Sequence, residues 1–343
     1  MTPDEAPKRP VRIRDVAERA GVSVGTVSNV LNQPARVTPR SVELVHRAME
    51  ELGFVRNEAA RQLRQGDSKV LGMVTLSHSN PFFGDIAHAA EIAAEEFGFT
   101  VVTGSSDQNQ QREDRFVDLF EVQRVRGLMI APLAGVSPRL AQMRSRGIPV
   151  VLFDHHVDTE HYSSVQMDGV AGGYLAVRHL LESGRRRIVF AGGPLNQVID
   201  RLTGASRAVQ EQSGASLVIM ETPDLSVAEG RALGRRFAEL PATERPDGVF
   251  AANDLLAVGL LQELLLSEGL SVPDDVAIVG YDDIDFASTS VVPLTSIRQP
   301  REQIAREAVR MLLAEADDPR RYVHERRMLA PELVVRASTR PRS

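Results

Sequence analysis

From residue 70 onward the sequence alternates, twice over, between short β-rich runs and amphipathic helical stretches. VLGMVTL, TVVTG and GLMIAP are interleaved with DIAHAAEIAAEEFG and EDRFVDLFEVQRV. A second series starts at GVAGGYLAVRHLLESG and carries RIVFAGG, SLVIM, GVFAAND and VAIVGYDD as its strands. Alternation of this kind demands parallel sheets covered by helices, and two series imply two similar subdomains facing one cleft. Ligands of α/β sheets bind beyond the carboxyl ends of strands, so the candidate binding residues should follow the strands.

The first 66 residues obey a different rule. Ile13, Val16, Ala17 and Ala20 recur at helical spacing, and Gly21 ends that helix as a residue tolerant of the left-handed conformation. Ser23 stands at an N-cap position before a second stripe of Val27, Val30 and Leu31. Thr38-Pro39 reads as N-cap and first-turn proline of a third helix with Val42, Val45, Met49 and Leu52 inward. Two short helices around a glycine turn make a helix-turn-helix, although spacing alone also fits any small helical bundle. Charge separates the same two parts: residues 1–66 carry a net +3, the remainder a net −9. A mildly basic head on an acidic body suits a small module facing a polyanion.

The run DVAERAGVSVGTVSNVLN, Asp15 to Asn32, resembles the head of the lac repressor (LacI/GalR) family of bacterial transcription regulators. RVTPRSVELVHRAMEELGFVRNEAARQL continues the resemblance, and VFAANDLLAVG, VAIVGYDDIDFA and PLTSIRQP follow in the family's order. The resemblance implies a multidomain chain: a small all-α helix-turn-helix head over 1–56, a hinge helix over 57–66, and an α/β periplasmic-binding-protein-like core over 67–343. Within that core the N-subdomain is expected at about 67–167 plus 297–327, and the C-subdomain at about 168–296 plus 328–343.

By the same resemblance the second helix reads operator DNA. Val24, Gly25 and Asn29 match the base-reading positions: Val24 suits a thymine methyl, and Asn29 can pair bidentately with adenine. Ser23, Thr26, Ser28, Asn32 and Arg36 suit phosphate oxygens, which set register and carry no sequence information. For Thr26 and Ser28 the competing reading is a hydroxyl bonded to its own helix. Arg12 stands where the family usually has a capping Thr, which predicts a less stable first helix. In NEAARQLRQG, Asn57 matches the hinge cap, Ala60 the contact between paired hinge helices, and Leu63 the wedge driven into the minor groove, with Arg61 and Arg64 beside it. The alternative for Leu63 is an ordinary linker leucine.

In the core, Asp154, Arg201 and Asp282 match the family's effector contacts, with Asn253, Phe82, Phe83 and Leu225 beside them. Carboxylates and a guanidinium suit bonds to sugar hydroxyls. Arg201 is expected at the start of the helix after RIVFAGGPLNQVID, with Gly204 three residues on. Leu225 stands where the family stacks an aromatic ring on a sugar. Phe82, Phe83 or Phe286 could replace that ring, or be core. Asp254 and Asp283 are assigned to capping the helices that follow them.

Other classes fit less well. With zero Cys there is no thiolate metal site and no cysteine nucleophile. Asp154-His155-His156, with Asp158 and His161, is the one cluster resembling a metal phosphoesterase of the DHH type, and no partner motif accompanies it. Gly169, Gly172 and Gly173 have the wrong spacing for a dinucleotide loop. A solute-binding protein would need a signal peptide and no DNA head. No apolar run approaches the ~20 residues of a membrane span, and the charged N-terminus lacks a signal core, so the expected place is the cytoplasm. The chain ends in TRPRS with no leucine heptad after VVRAST, which favours a homodimer over a tetramer. The expected partners are operator DNA, a small effector (a sugar or sugar derivative) and a second copy; no cofactor, enzyme activity or membrane is expected.

Overall fold

The structure is a computed structural model that describes residues 11–54, 68–154, 161–267 and 269–340. Two compact units divide at Asp67. In the first, α1 (Ile13–Ala20), α2 (Val24–Asn32) and α3 (Pro39–Leu52) enclose a core of Val16, Ala17, Ala20, Val27, Val30, Val45 and Ala48. The punctuation is local. Gly21 and Gly53 take φ of 65° and 62°, the left-handed values that close α1 and α3. Ser23 Oγ accepts the Thr26 N–H at 3.0 Å, and Thr38 Oγ1 accepts the Ser41 N–H at 3.4 Å. At α1 the Arg12 side chain makes no cap bond. The Asp15 carboxylate accepts the Arg12 backbone N–H at 2.7 Å, so one arm of a capping box survives without the other.

The second unit contains two six-stranded sheets among its described residues. The first holds β1 (Val70–Thr75), β2 (Thr100–Ser105), β3 (Leu128–Ile130), β4 (Val150–Phe153), β5 (Ser163–Met167) and a late strand, Arg326–Leu329. The second holds β6 (Arg187–Ala191), β7 (Ser216–Met220), β8 (Gly248–Ala251), β9 (Ala277–Asp282), β10 (Thr295–Arg298) and Glu332–Val334. With the late strands numbered β11 and β12, the orders are β11-β5-β4-β3-β1-β2 and β12-β10-β9-β8-β6-β7. All pairings are parallel except β10 with β12, so the expectation of wholly parallel sheets fails at one edge. The inner strands read as continuous apolar runs because helices cover both faces.

Four buried clusters line the four sheet faces. α4 (Pro81–Glu95) and α11 (Arg301–Asp317) cover one face of the first sheet, and α5 (Gln110–Val122) and α6 (Pro138–Ser145) the other. On the second sheet α7 (Gly169–Glu182) and α8 (Leu195–Gln210) oppose α9 (Val227–Ala238) and α10 (Asp254–Ser267). The chain passes between sheets after β5, after β10 and after β11. The boundaries expected at 296/297 and 327/328 therefore cut through β10 and β11, each of which belongs whole to one sheet. Both strands are only four residues long, too short for a pattern to mark their ends.

Candidate functional site

On α2, burial of Val27 and Val30 turns the other face outward. Val24 is 42% exposed, and Gly25 and Asn29 are exposed beside it. Those three base-reading candidates share the solvent face. Ser23 and Thr26 bond each other through their hydroxyls at 2.9 Å, in addition to the cap bond. That pair spends one hydroxyl proton and leaves the other for an outside acceptor such as phosphate. Asn32 Nδ2 donates to the Ser28 carbonyl at 2.8 Å and to Ser28 Oγ at 3.3 Å. Arg36 closes an exposed turn, Pro34–Arg36. The hinge candidates Asn57, Ala60 and Leu63, with Arg61 and Arg64, lie outside the described residues.

In the second unit a cavity of about 650 Å³ opens at the carboxyl ends of the strands of both sheets. Asn80, Phe82, Phe83, Asp107 and Asp154 line it from the first sheet, and Arg201, Leu225, Asn253 and Asp282 from the second. Backbone strain concentrates here: Asp107, Gln108, Asp154, Asp282 and Asp283 have φ of 49°, 54°, 53°, 106° and 54°. Such conformations persist where the surroundings over-determine them, and they cluster at functional sites.

Asp282 lies at the floor, 2% exposed. Its carboxylate accepts Asn80 Nδ2 at 3.1 Å and Gln299 Nε2 at 2.7 Å, and its burial raises its pKa against the opposing pull of Arg201. The Arg201 guanidinium lies 3.9 Å over the Tyr281 ring and donates to the Ala252 carbonyl at 2.5 Å. Asp154 keeps an opening to the cavity but is otherwise enclosed. Burial pushes its carboxyl up to about 7, Arg201 opposing and Asp282 adding to the rise. Arg201 thus opposes the rise at both reluctant carboxylates, and Arg301 adds to that pull at Asp282. The helix of Arg201, α8, is seated by a glycine: a Cβ on Gly173 of α7 would stand 2.0 Å from the Arg201 carbonyl oxygen. Gly169 also meets α8, at the Asp200 side chain, whereas Gly172 packs on Tyr281 and Ile297 of the sheet. α8 begins at Leu195, so Arg201 lies in its second turn and not at its start.

Several assignments change. Phe82 and Phe83 are 2% and 6% exposed, part of the first-sheet core, with an edge on the cavity. Phe286 is 55% exposed and not among the lining residues, so it is neither a stacking ring nor core. Leu225 lines the cavity and packs against both faces of the second sheet's core. Asn253 caps α10 by accepting the Leu256 N–H at 2.9 Å and donates to the Leu225 carbonyl at 3.0 Å, so it positions the wall that carries Leu225. Asp254 and Asp283 are structural but cap nothing. Asp254 accepts the Ser296 hydroxyl at 2.7 Å and the Ile284 N–H at 2.9 Å, while Asp283 pairs with Arg298 at 2.8 Å and Arg336 at 2.6 Å.

The Asp-His cluster does not converge. Asp154 follows β4 at the carboxyl edge of the sheet, and His161 lies just before β5 at the amino edge, beside a separate cavity. His155, His156 and Asp158 lie outside the described residues, and no group of metal-ligating side chains gathers among the described ones. Gln108, Gln197 and Gln299 reach the site although no sequence pattern marks them: Gln108 and Gln299 lie in loops without periodicity, and Gln197 is a polar residue in the first turn of α8 whose reach shows only once the strands are in place.

Residues 12–57 match the family of bacterial regulatory proteins described as lacI, and residues 177–339 match a periplasmic binding protein-like domain. The chain is 34% identical to the ribose operon repressor of Bacillus subtilis over 88% of its own length and 90% of the relative's. It is 30% identical to the HTH-type transcriptional repressor PurR of Aliivibrio salmonicida over 95% and 98% of the two chains. Among solved structures, a lac repressor dimer bound to operator and the anti-inducer ONPF is 28% identical with a TM-score of 0.82, over 96% of this chain and 99% of that one. A lacI-family regulator from Enterococcus faecium with bound ribose is 26% identical with a TM-score of 0.71, over 80% and 100%. No helix among the described residues is long and apolar enough to cross a membrane.

Proposed function

The chain belongs to the lacI family of bacterial regulatory proteins, a DNA-binding repressor with an effector-binding core and not an enzyme; from that premise we propose that its effector is a neutral monosaccharide, and that it acts in the cytoplasm as a homodimer on a near-palindromic operator. One observation carries the choice of effector. Among the described residues lining the cavity, Asp154, Asp224 and Asp282 outnumber the single cation Arg201, while Asp107 is paired with Arg112 at 2.9 Å. A phosphate or carboxylate group would meet like charge at short range, whereas sugar hydroxyls donate to carboxylates and accept from the guanidinium. Relatives that regulate a ribose operon, and a ribose-bound neighbour, point to a pentose as the first candidate.

On the DNA side, Val24, Gly25 and Asn29 read base edges. Ser23, Thr26, Ser28, Asn32 and Arg36 hold phosphates, and a hinge over 57–66 with Asn57, Ala60 and Leu63 enters the minor groove. Effector binding shifts the two subdomains only to the extent that it prefers one arrangement over the other.

The test is a thermal-shift series with D-ribose and other neutral sugars, ribose 5-phosphate and purine bases, since a ligand of the native state raises its melting temperature. Neutral sugars should raise it, ribose 5-phosphate should not, and Arg201→Ala should remove the response. A shift by the phosphate or a purine, with none by neutral sugars, overturns the reading.

A further inference from the structure

The buried floor of the cavity has a counterpart at its mouth. Gln197 Nε2, in the first turn of α8, donates to Gln108 Oε1, just past β2, at 3.2 Å. Both residues line the cavity, one from each sheet's side; Gln108 is exposed and Gln197 half-buried, where Asp282 and Asn253 on the floor are buried. We propose that this amide pair is a bridge across the cleft mouth that limits the effector to a single sugar ring. The inference rests on the neutral-sugar reading above.

Gln108 holds a φ of 54°, in the left-handed region that glutamine seldom occupies. The strain is retained because its N–H donates to the Leu76 carbonyl at 3.2 Å and the preceding Asp107 N–H donates to Ser105 Oγ at 3.2 Å. In this turn the Gln108 side chain reaches the opposite wall, whereas a relaxed turn at the same position would redirect it. The cavity's 650 Å³ lies within the range that encloses drug-sized ligands. Volume alone therefore admits a disaccharide, and the restriction must come from the mouth. A second ring projecting from the floor would have to part the two amides.

The chain contains no Cys, so spin labels can be placed cleanly at Arg115→Cys on α5 and Thr203→Cys on α8, both exposed and outside the site. In the ligand-free protein, electron-electron double resonance should give a narrow distance distribution that Gln108→Gly and Gln197→Ala both broaden or lengthen. An unchanged distribution in both variants overturns the bridge. Titrations with D-ribose and cellobiose then read the size limit. The unmodified chain should bind D-ribose and not cellobiose. Gln108→Gly should bind D-ribose about three- to tenfold more weakly, the loss of one neutral hydrogen bond, and should gain cellobiose affinity about tenfold or more. Gln108→Asn tolerates the left-handed turn but is one methylene shorter, so it should behave like the glycine variant if reach matters, and like the parent if only the turn does. Equal binding of both sugars by the unmodified chain, or no change in either sugar on Gln108→Gly, overturns the size limit. If neither sugar binds, the monosaccharide reading and its size limit fall together, and the label distances still decide the bridge.

Discussion

Asp154 carries a pH dependence whose direction follows from its surroundings. Its carboxyl ionises at about 7 in the folded chain against an ordinary 3.8. Between those values the folded chain keeps a proton that the unfolded chain has released. This group's contribution to stability is therefore fully present below pH ~4, declines as pH rises across the window, and is lost once pH passes the folded value near 7. Effector hydroxyls that donate to the carboxylate favour its ionised form. Binding should thus release a proton below that value, and affinity should rise with pH up to about 7 and then level off. Titration calorimetry in buffers of different ionisation enthalpy measures the released proton, and Asp154→Asn should abolish both the release and the slope; a slope that persists in the variant assigns the effect elsewhere. That Asp154 and Asp282 border the cavity was legible in the sequence because strand ends in a parallel sheet have a fixed address, whereas Arg201, in the second turn of α8, was pointed to by the family resemblance alone. Gln108 and Gln197 were not legible, since their meeting depends on a strained turn on one side and a helix start on the other. Asp254 and Asp283 misled for a related reason: capping is the local option for a strand-end Asp, but Ser296, Arg298 and Arg336, distant in sequence, arrive to claim them.

At the scale of elements, the position of Arg201 depends on how closely α7 and α8 approach. A Cβ on Gly204 would stand 1.9 Å from the Val170 carbonyl oxygen and 2.6 Å from the Tyr174 nitrogen, backbone atoms that cannot rotate away. Gly204→Ala must therefore push the helices apart. It should cost about 1–3 kcal/mol in urea unfolding, the usual range for overpacking, and weaken effector binding along with stability, because Arg201 rides on the displaced helix. A variant with parental stability and parental binding would show that the crossing relaxes without moving the site. The alternation of strands and helices made both sheets legible, and the N-cap and glycine signals made the head legible nearly residue by residue. The antiparallel pairing of β12 was not, because a three-residue strand has too few positions to state a direction. The first helix is intermediate: Arg12 removes the usual cap, and Asp15 restores half of it through the backbone.

For the whole molecule, charge and shape divide the work of binding DNA between two kinds of contact. The N-terminal 66 residues are net positive and the rest is net negative, so attraction to any duplex belongs to the head, and the acidic core resists lying along the phosphates. Nonspecific affinity is almost wholly this electrostatic term. Recognition of an operator needs more, and the proposed reading assigns it to base contacts from α2 and to deformation of the minor groove by Leu63. Leu63→Ala leaves every charge in place and removes only an apolar wedge, once per protomer and therefore twice in a dimer. It should weaken binding to an operator selected from a random pool by about tenfold or more while leaving affinity for a random duplex, and the salt dependence of both, close to the parent's. Fluorescence anisotropy on the two duplexes at matched salt separates the cases. Equal losses on both would make Leu63 a linker residue whose truncation disturbs the head as a whole. A loss confined to the operator would mean that this chain spends free energy on bending DNA, which gives an effector acting on the core a step it can reverse without touching the base-reading helix.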